Sequence, residues 1–252
     1  HMPMEKAALP NTLRNLTFGY QFNEPMVANV PANVHNLEFG NNFNKHMERV
    51  TAVGVQTLTF GYAFNKSLEM VALPGSLQYL TFGYSFNQPM ENVILPSSLL
   101  SLIFNLSFDQ PMDSVVLPNG LQTLIFGKRF NQLMENVVLP NSLQNLTFGH
   151  RFDQPLDRVI LPGSLQNLTF GGYYDWGLEN VVLPSSLLKI TYGKSDEWPH
   201  GLILGPHVLA AWRQQQATAW RQQQQQAAAW EQEQAAWGQD LAPPLEAAWA
   251  QE

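Results

Sequence analysis

The hydrophobic positions of this chain fall into one short pattern, Leu-x-x-Leu-Thr-Phe-Gly, which occurs at residues 143–149 and again at 165–171. At its end two large apolar residues flank a β-branched Thr, which predicts a short, half-buried β-strand. A Leu-Pro step precedes most copies and a Gln-Pro step follows several of them. Proline fixes φ and cannot donate to a β-ladder, so both steps are expected in turns. Each unit therefore predicts a strand, a turn, an extended arm and a second turn, with no room for a long helix.

The units repeat at nearly constant spacing. The Phe-Gly step recurs twice after 21 residues and then after 22 residues, with Asn105 in the one slot that lacks glycine. The glycines are Gly19, Gly40, Gly61, Gly83, Gly127, Gly149, Gly171 and Gly193. A lone unit of this length buries too little apolar surface to offset the entropy of ordering its backbone, whereas stacked units cover one another. The spacing therefore predicts a β-rich solenoid of about nine 21–22-residue coils that share one parallel sheet.

Two of the units, LPGSLQYLTFGYSFNQPM and LPSSLLSLIFNLSFDQPM, resemble the FNIP repeat, a relative of the leucine-rich repeat. The resemblance extends from Leu9 to Gly193. It implies a right-handed, leucine-rich-repeat-like solenoid that serves as an interaction surface. The predicted organisation is a lead-in over residues 1–8, which includes an apparent cloning remnant, then the solenoid over 9–198, and a Trp-, Gln- and Ala-rich helical cap and tail over 199–252.

Stacking turns each repeat position into a column whose members lie about 4.7–4.9 Å apart. One column is aromatic and is predicted to pack in the core; it consists of Phe22, Phe43, Phe64, Phe86, Phe108, Phe130, Phe152 and Tyr174. The next position is an amide or a carboxylate, which is predicted to satisfy backbone groups of the next coil as an internal hydrogen-bond ladder. Its members are Asn23, Asn44, Asn65, Asn87, Asp109, Asn131, Asp153 and Asp175.

A third column is acidic and runs through almost every coil. It contains Glu48, Glu69, Glu91, Asp113, Glu135, Asp157 and Glu179. Like charges about 5 Å apart repel by roughly 1 kcal/mol even in water, so something must offset the repulsion. Two explanations stay open: solvent, salt and neighbouring bases such as Arg49 and Arg158, or a basic partner or bound cations along the stripe.

The positions directly after the glycine vary most among otherwise similar units. Tyrosines are found in the first half of the chain, a basic group follows, and two further aromatic residues lie just beyond it. These candidate partner-binding residues are Tyr20, Tyr62, Tyr84, Lys128, Arg129, His150, Arg151, Tyr173 and Trp176. Because Tyr and Arg are enriched at binding hot spots, the variation predicts a surface that contacts a partner. The alternative is unselected drift at exposed turns.

The outward position of each predicted strand is mostly Thr. The row reads Thr17, Glu38, Thr59, Thr81, Ile103, Ile125, Thr147, Thr169 and Thr191. A flat Thr row is similar to the faces of some ice-binding solenoids, although Thr is also a common exposed strand residue. Binding to ice or to a carbohydrate surface through the Thr or aromatic columns is therefore the alternative function.

The composition changes abruptly after Trp198-Pro199. From Pro206 to about Gly238 the residues are mostly good helix formers, and three of the Trp residues there fall on one stripe of the predicted helix. A solenoid needs a cap at its last coil, and the segment can supply one. The residues predicted to do so are Leu202, Ile203, Leu204, Val208, Leu209 and Trp212. The helix and an open N-terminal edge strand are both candidates for self-association.

Composition limits the remaining function classes. The net charge of −7 argues against nucleic acid as a partner, and the chain has no Cys and no apolar run long enough to span a membrane. The N-terminus lacks the apolar core of a signal peptide, so a cytoplasmic location is expected. No nucleophile elbow, phosphate loop or metal-ligand spacing of His is found. We expect a non-catalytic scaffold for a protein partner, without cofactor or metal.

Overall fold

The computed structural model describes residues 9–25, 30–47, 52–193 and 203–204, together with seven isolated positions between 214 and 229. In this part of the chain, each segment that corresponds to Leu-Thr-Phe in the repeat contributes a strand. The parallel strands are β1 Asn15–Thr17, β2 Asn36–Glu38, β3 Thr57–Thr59, β4 Tyr79–Thr81, β5 Ser101–Ile103, β6 Thr123–Ile125, β7 Asn145–Thr147, β8 Asn167–Phe170 and β9 Lys189–Tyr192. They lie side by side in chain order in one sheet. The predicted leucine-rich-repeat-like stack with one parallel sheet is confirmed.

The sheet keeps one register because equivalent positions of successive coils pair. Leu80 of β4 pairs with Leu58 of β3 and with Leu102 of β5. All three leucines are buried, whereas their strand neighbours are partly exposed. A slip by one residue would bring the leucines to the outer face, so burial of this column fixes the pairing.

The core contains two aromatic columns where the sequence analysis predicted one. The second consists of the residue before each glycine or its equivalent: Phe18, Phe39, Phe60, Phe82, Phe104, Phe126, Phe148, Phe170 and Tyr192. Within a coil, the rings of Phe82 and Phe86 stack with centroids 3.8 Å apart. Between coils, Phe86 and Phe108 stack at 6.1 Å. Aromatic pairs at these distances add to the free energy gained from burial of the rings.

The predicted ladder is confirmed, and it works through the acceptor oxygen. Asn87 Oδ1 accepts the backbone N–H of Asp109 at 2.9 Å and the Nε2 of Gln110 at 3.0 Å. One coil later, Asp109 Oδ1 accepts from Asn131 N–H and Gln132 Nε2 in the same way. A carboxylate can replace the amide because only an acceptor is required. The sequence analysis did not predict the second donor, the Gln side chain.

The repeated glycine follows from close approach of neighbouring coils. A Cβ built on Gly127 would meet the carbonyl oxygen of Asn105 in the preceding coil, and one on Gly83 would meet that of Gly61. The contact itself therefore excludes a side chain at these positions. Asn105 fills the exceptional slot, and its Nδ2 donates to the carbonyl oxygen of Phe82 at 2.7 Å.

At the C-terminal edge of the sheet, β10 Ile203–Leu204 pairs antiparallel with β9. These two residues belong to the predicted cap, and they form a strand ahead of the predicted helix. The chain divides into two units, His1–Pro206 and His207–Glu252. In the second unit the seven described positions are helical and exposed. The bounds of the predicted helix, its Trp stripe and the other cap residues lie outside the described residues.

Candidate functional site

Backbone hydrogen bonds join the turns that follow successive strands. Ser85 N–H donates to Tyr62 C=O at 2.9 Å, and Arg129 N–H donates to Leu106 C=O at 3.0 Å in the same way. The same bond joins residues 107 and 84, 151 and 128, and 173 and 150. Since these bonds use no side chain, the fold does not dictate which residue occupies the turn. The variation seen in the sequence therefore has a structural basis.

Most side chains of these turns face solvent. Tyr20, Tyr62, Tyr84 and Tyr173 are between 48% and 65% exposed. The bases Lys128, Arg129 and Arg151 are exposed, and His150 is half-buried. We call these eight residues the turn ridge.

Two pairs of rings on the turn ridge are already ordered. Tyr62 and Tyr84 stack with centroids 5.1 Å apart and planes 15° from parallel. His150 and Tyr173 stack at 4.7 Å with planes 20° from parallel. Rings held against one another lose less freedom when a partner covers them, so the turn ridge is partly preorganised for binding.

Trp176 was predicted together with the turn ridge, but the structure places it in another feature. Its side chain is 49% exposed and lines a cleft of about 400 Å³ with Leu133, Pro155, Asp157 and Glu179. The last two belong to the acidic column, so Trp176 is part of the acidic surface.

The acidic column is exposed at every coil that the structure describes, from Glu69 to Glu179. Arg158 lies 3.7 Å from Glu135 and forms an ion pair with it on the surface. Asn92 Nδ2 donates to Glu69 at 3.2 Å. Glu48 and Arg49 lie outside the described residues. Within the described part of the chain, no three His or acidic side chains come close enough together to hold a metal ion.

The threonine row lies in register on the outer face of the sheet, where Thr59 pairs with Thr81. Ile103 and Ile125 pair with each other in the middle of the row, and Glu38 interrupts it near the start. Most of the row is half-buried, and Thr191 is 5% exposed. Binding to ice or carbohydrate through this row stays a prediction.

Two tyrosines at the C-terminal end of the core have raised pKa values. Burial raises the pKa of Tyr192 to about 12, and the charge of Glu179 adds to the effect. Burial, followed by the charge of Tyr192, also raises the pKa of Tyr174. Both hydroxyls therefore stay protonated at neutral pH. Their environment is that of a packed core rather than of a general base.

A column of exposed aliphatic side chains was missed in the sequence analysis. Ile94, Val116, Val138, Ile160 and Val182 are 80–87% exposed, whereas the residue before each is buried. The signal was the alternation within the Val-Val-Leu-Pro segment, in which the second apolar residue points away from the core. Contiguous exposed apolar residues are typical of contact surfaces.

No helix among the described residues is long and apolar enough to cross a membrane. A comparison with curated proteins found no match. A solved structure, the crystal structure of CroV588, described as a novel circular LRR protein, is similar to this chain, with 36% sequence identity and a TM-score of 0.53. The match covers 73% of this chain and 34% of that one, so the chain spans about a third of that protein's length.

The family model of the FNIP Repeat matches five segments of the chain, and these segments agree in position with the coils of the solenoid. The matched residues are 53–85, 64–107, 86–129, 108–151 and 152–195. These segments together cover more than half of the chain. The chain therefore belongs to the FNIP-repeat family.

Proposed function

We propose that this chain is a non-catalytic repeat scaffold that binds a protein partner through the turn ridge. The observation that supports this is the separation of roles within the turn. Backbone hydrogen bonds between coils hold its shape, and the side chains are exposed and differ from coil to coil. A surface that the fold leaves free to vary is available for recognition.

The chemistry of the turn ridge suits a protein surface. Tyr contributes a large apolar area and a polar hydroxyl at a low cost in conformational entropy, and Arg can bind a carboxylate through two hydrogen bonds. Lys128 and Arg129 on one coil and Arg151 on the next are exposed, in a chain whose net charge is −7. This local positive charge favours an acidic segment of the partner.

The experiment passes a cell lysate over the immobilised wild-type chain and over the immobilised double variant Arg129→Glu/Arg151→Glu. The proteins that each one captures are identified by mass spectrometry and compared. The matched control is Arg14→Glu/Lys189→Glu, which reverses two exposed bases at other places on the solenoid. We expect a defined set of proteins to be lost from the turn-ridge variant and retained by the control. Equal capture by all three proteins would show that the variation in the turns is drift.

A further inference from the structure

The eighth coil departs from its neighbours in one short segment. The four preceding coils carry Gln where this coil carries Trp176. In those coils the Gln Nε2 donates to the ladder, for example from Gln154 to Asn131 Oδ1 at 3.0 Å. Trp has no side-chain amide that could donate in the same way. Its indole is instead 49% exposed on the surface.

The next residue, Gly177, stands where the preceding coil has Pro155. The indole of Trp176, with Pro155 and Leu133 of the two preceding coils, forms the apolar side of the cleft of about 400 Å³. A cleft of this volume is within the range of pockets that enclose a ligand group. Leu133 is 54% exposed, so this wall is open to solvent.

The other side of the cleft is acidic. Glu135, Asp157 and Glu179 line it, one from each of three successive coils, together with Arg158. Arg158 lies 3.7 Å from Glu135, so it neutralises one carboxylate and leaves a local excess of negative charge at the other two. Carboxylates on neighbouring coils repel each other, and a cation between them would relieve that repulsion.

The same coil also departs from its neighbours in the aromatic column, where it has Tyr174. Tyr174 is 8% exposed, and its hydroxyl makes no hydrogen bond within the described part of the chain. Phe occupies this position in the described coils before it, so packing does not require a hydroxyl here. Burial, then the charges of Tyr192, Asp153, Glu179 and Asp157, raise the pKa of Tyr174. Two of these carboxylates, Asp157 and Glu179, line the cleft.

We propose that this Trp176 cleft binds an arginine side chain from a basic segment of a protein partner. The guanidinium group would stack on the indole of Trp176 and pair with the carboxylates of Asp157 and Glu179. Arginine fits better than lysine because its planar group combines stacking on an aromatic ring with bidentate binding of a carboxylate. The proposal rests on the proposed function, since it assumes a protein partner, but it uses a different surface from the turn ridge.

The test measures the affinity of a fluorescein-labelled hexa-arginine peptide by fluorescence anisotropy. The first variant is Trp176→Gln, which restores the residue of the neighbouring coils and therefore keeps the fold. The second is Asp157→Asn/Glu179→Gln. Its matched control, Glu91→Gln/Asp113→Asn, removes the same charge from the same column outside the cleft.

We expect each cleft variant to bind the peptide about tenfold more weakly, and the control to bind within about twofold of the wild type. A hexa-lysine peptide should bind the wild type more weakly than hexa-arginine. Equal losses in the cleft variants and the control would show attraction to the whole acidic column and overturn the proposal, as would unchanged binding by Trp176→Gln. Since Arg129 and Arg151 are intact in all these proteins, such a failure leaves the turn-ridge experiment unaffected.

Discussion

The side chain of Asn87 and the backbone of Asp109 are joined by a hydrogen bond that crosses from one coil to the next. Asn87 Oδ1 accepts the N–H of Asp109 at 2.9 Å, and the same oxygen accepts a second bond from Gln110 at 3.0 Å. Both donors belong to the following coil, just after its turn. The bond therefore ties each coil to its successor, and the same bond recurs at Asn44, Asn65, Asp109 and Asn131.

Replacement of Asn87 by Leu should be strongly destabilising. The substitution removes the acceptor of two hydrogen bonds and leaves a part-buried backbone N–H unpaired. We expect the free energy of unfolding to fall by about 2–4 kcal/mol. Chemical denaturation with urea, followed by circular dichroism, measures the change.

The matched control for this prediction is Asn87→Asp. Asp109 shows that a carboxylate oxygen can hold the same two donors. We therefore expect Asn87→Asp to lose clearly less stability than Asn87→Leu. A denaturation midpoint of Asn87→Leu equal to that of the wild type would remove Asn87 from the ladder.

We expect glycine to be required at position 127, because a side chain there would collide with the preceding coil. A Cβ there would meet the carbonyl group of Asn105, and backbone atoms cannot move away as a flexible side chain can. We expect Gly127→Ala to cost about 2–3 kcal/mol, measured as a fall in melting temperature. The control is Gly75→Ala, because no atom lies within 4 Å of a Cβ built at Gly75. If both substitutions shift the melting temperature equally, close approach of the coils is not the reason for the glycine.

Periodicity made much of this fold predictable, because stacking converts a spacing in sequence into a contact in space. The strands, the Phe86 column and the Asn87 ladder each follow from a residue type that recurs at a constant interval. The second aromatic column and the Gln110 bond depend on how side chains turn between coils, which spacing alone does not specify. The cleft at Trp176 was missed for the opposite reason. It arises where one coil departs from the repeat, so no column of equivalent residues predicts it.

The adjacent residues Val115 and Val116 should differ strongly in how much stability the same substitution removes. Val115 is 5% exposed and Val116 is 82% exposed. A hydroxyl introduced at Val115 would be buried, so Val115→Thr should cost about 1–3 kcal/mol. Val116→Thr should stay within about 0.5 kcal/mol of the wild type, because its methyl groups already face solvent. Denaturant titration of the two variants side by side checks this. Equal destabilisation would mean that the aliphatic column is covered in solution.

The half-buried Tyr192 should make the fold sensitive to alkali. An ordinary Tyr deprotonates near pH 10, and burial raises the pKa of Tyr192 to about 12 in the folded chain. Between these values the unfolded chain binds fewer protons than the folded one, so stability falls as the pH rises from about 10 to 12. Below pH 10 the hydroxyl is protonated in both states and this loss is absent. Melting temperatures of the wild type and of Tyr192→Phe at a series of pH values test the prediction.

The comparison isolates one hydroxyl from the general effect of alkali. The melting temperature of Tyr192→Phe should fall less than that of the wild type between pH 10 and 12, because the variant has no hydroxyl to deprotonate at that position. Tyr84→Phe is the control, because Tyr84 is 48% exposed on the turn ridge. Its loss should equal that of the wild type. The ring of Tyr192 stacks on Phe170 with centroids 5.3 Å apart, which argues for a hydroxyl shielded from solvent. If the melting temperatures of all three proteins fall equally between pH 10 and 12, the Tyr192 hydroxyl is as accessible to solvent in the folded chain as in the unfolded one.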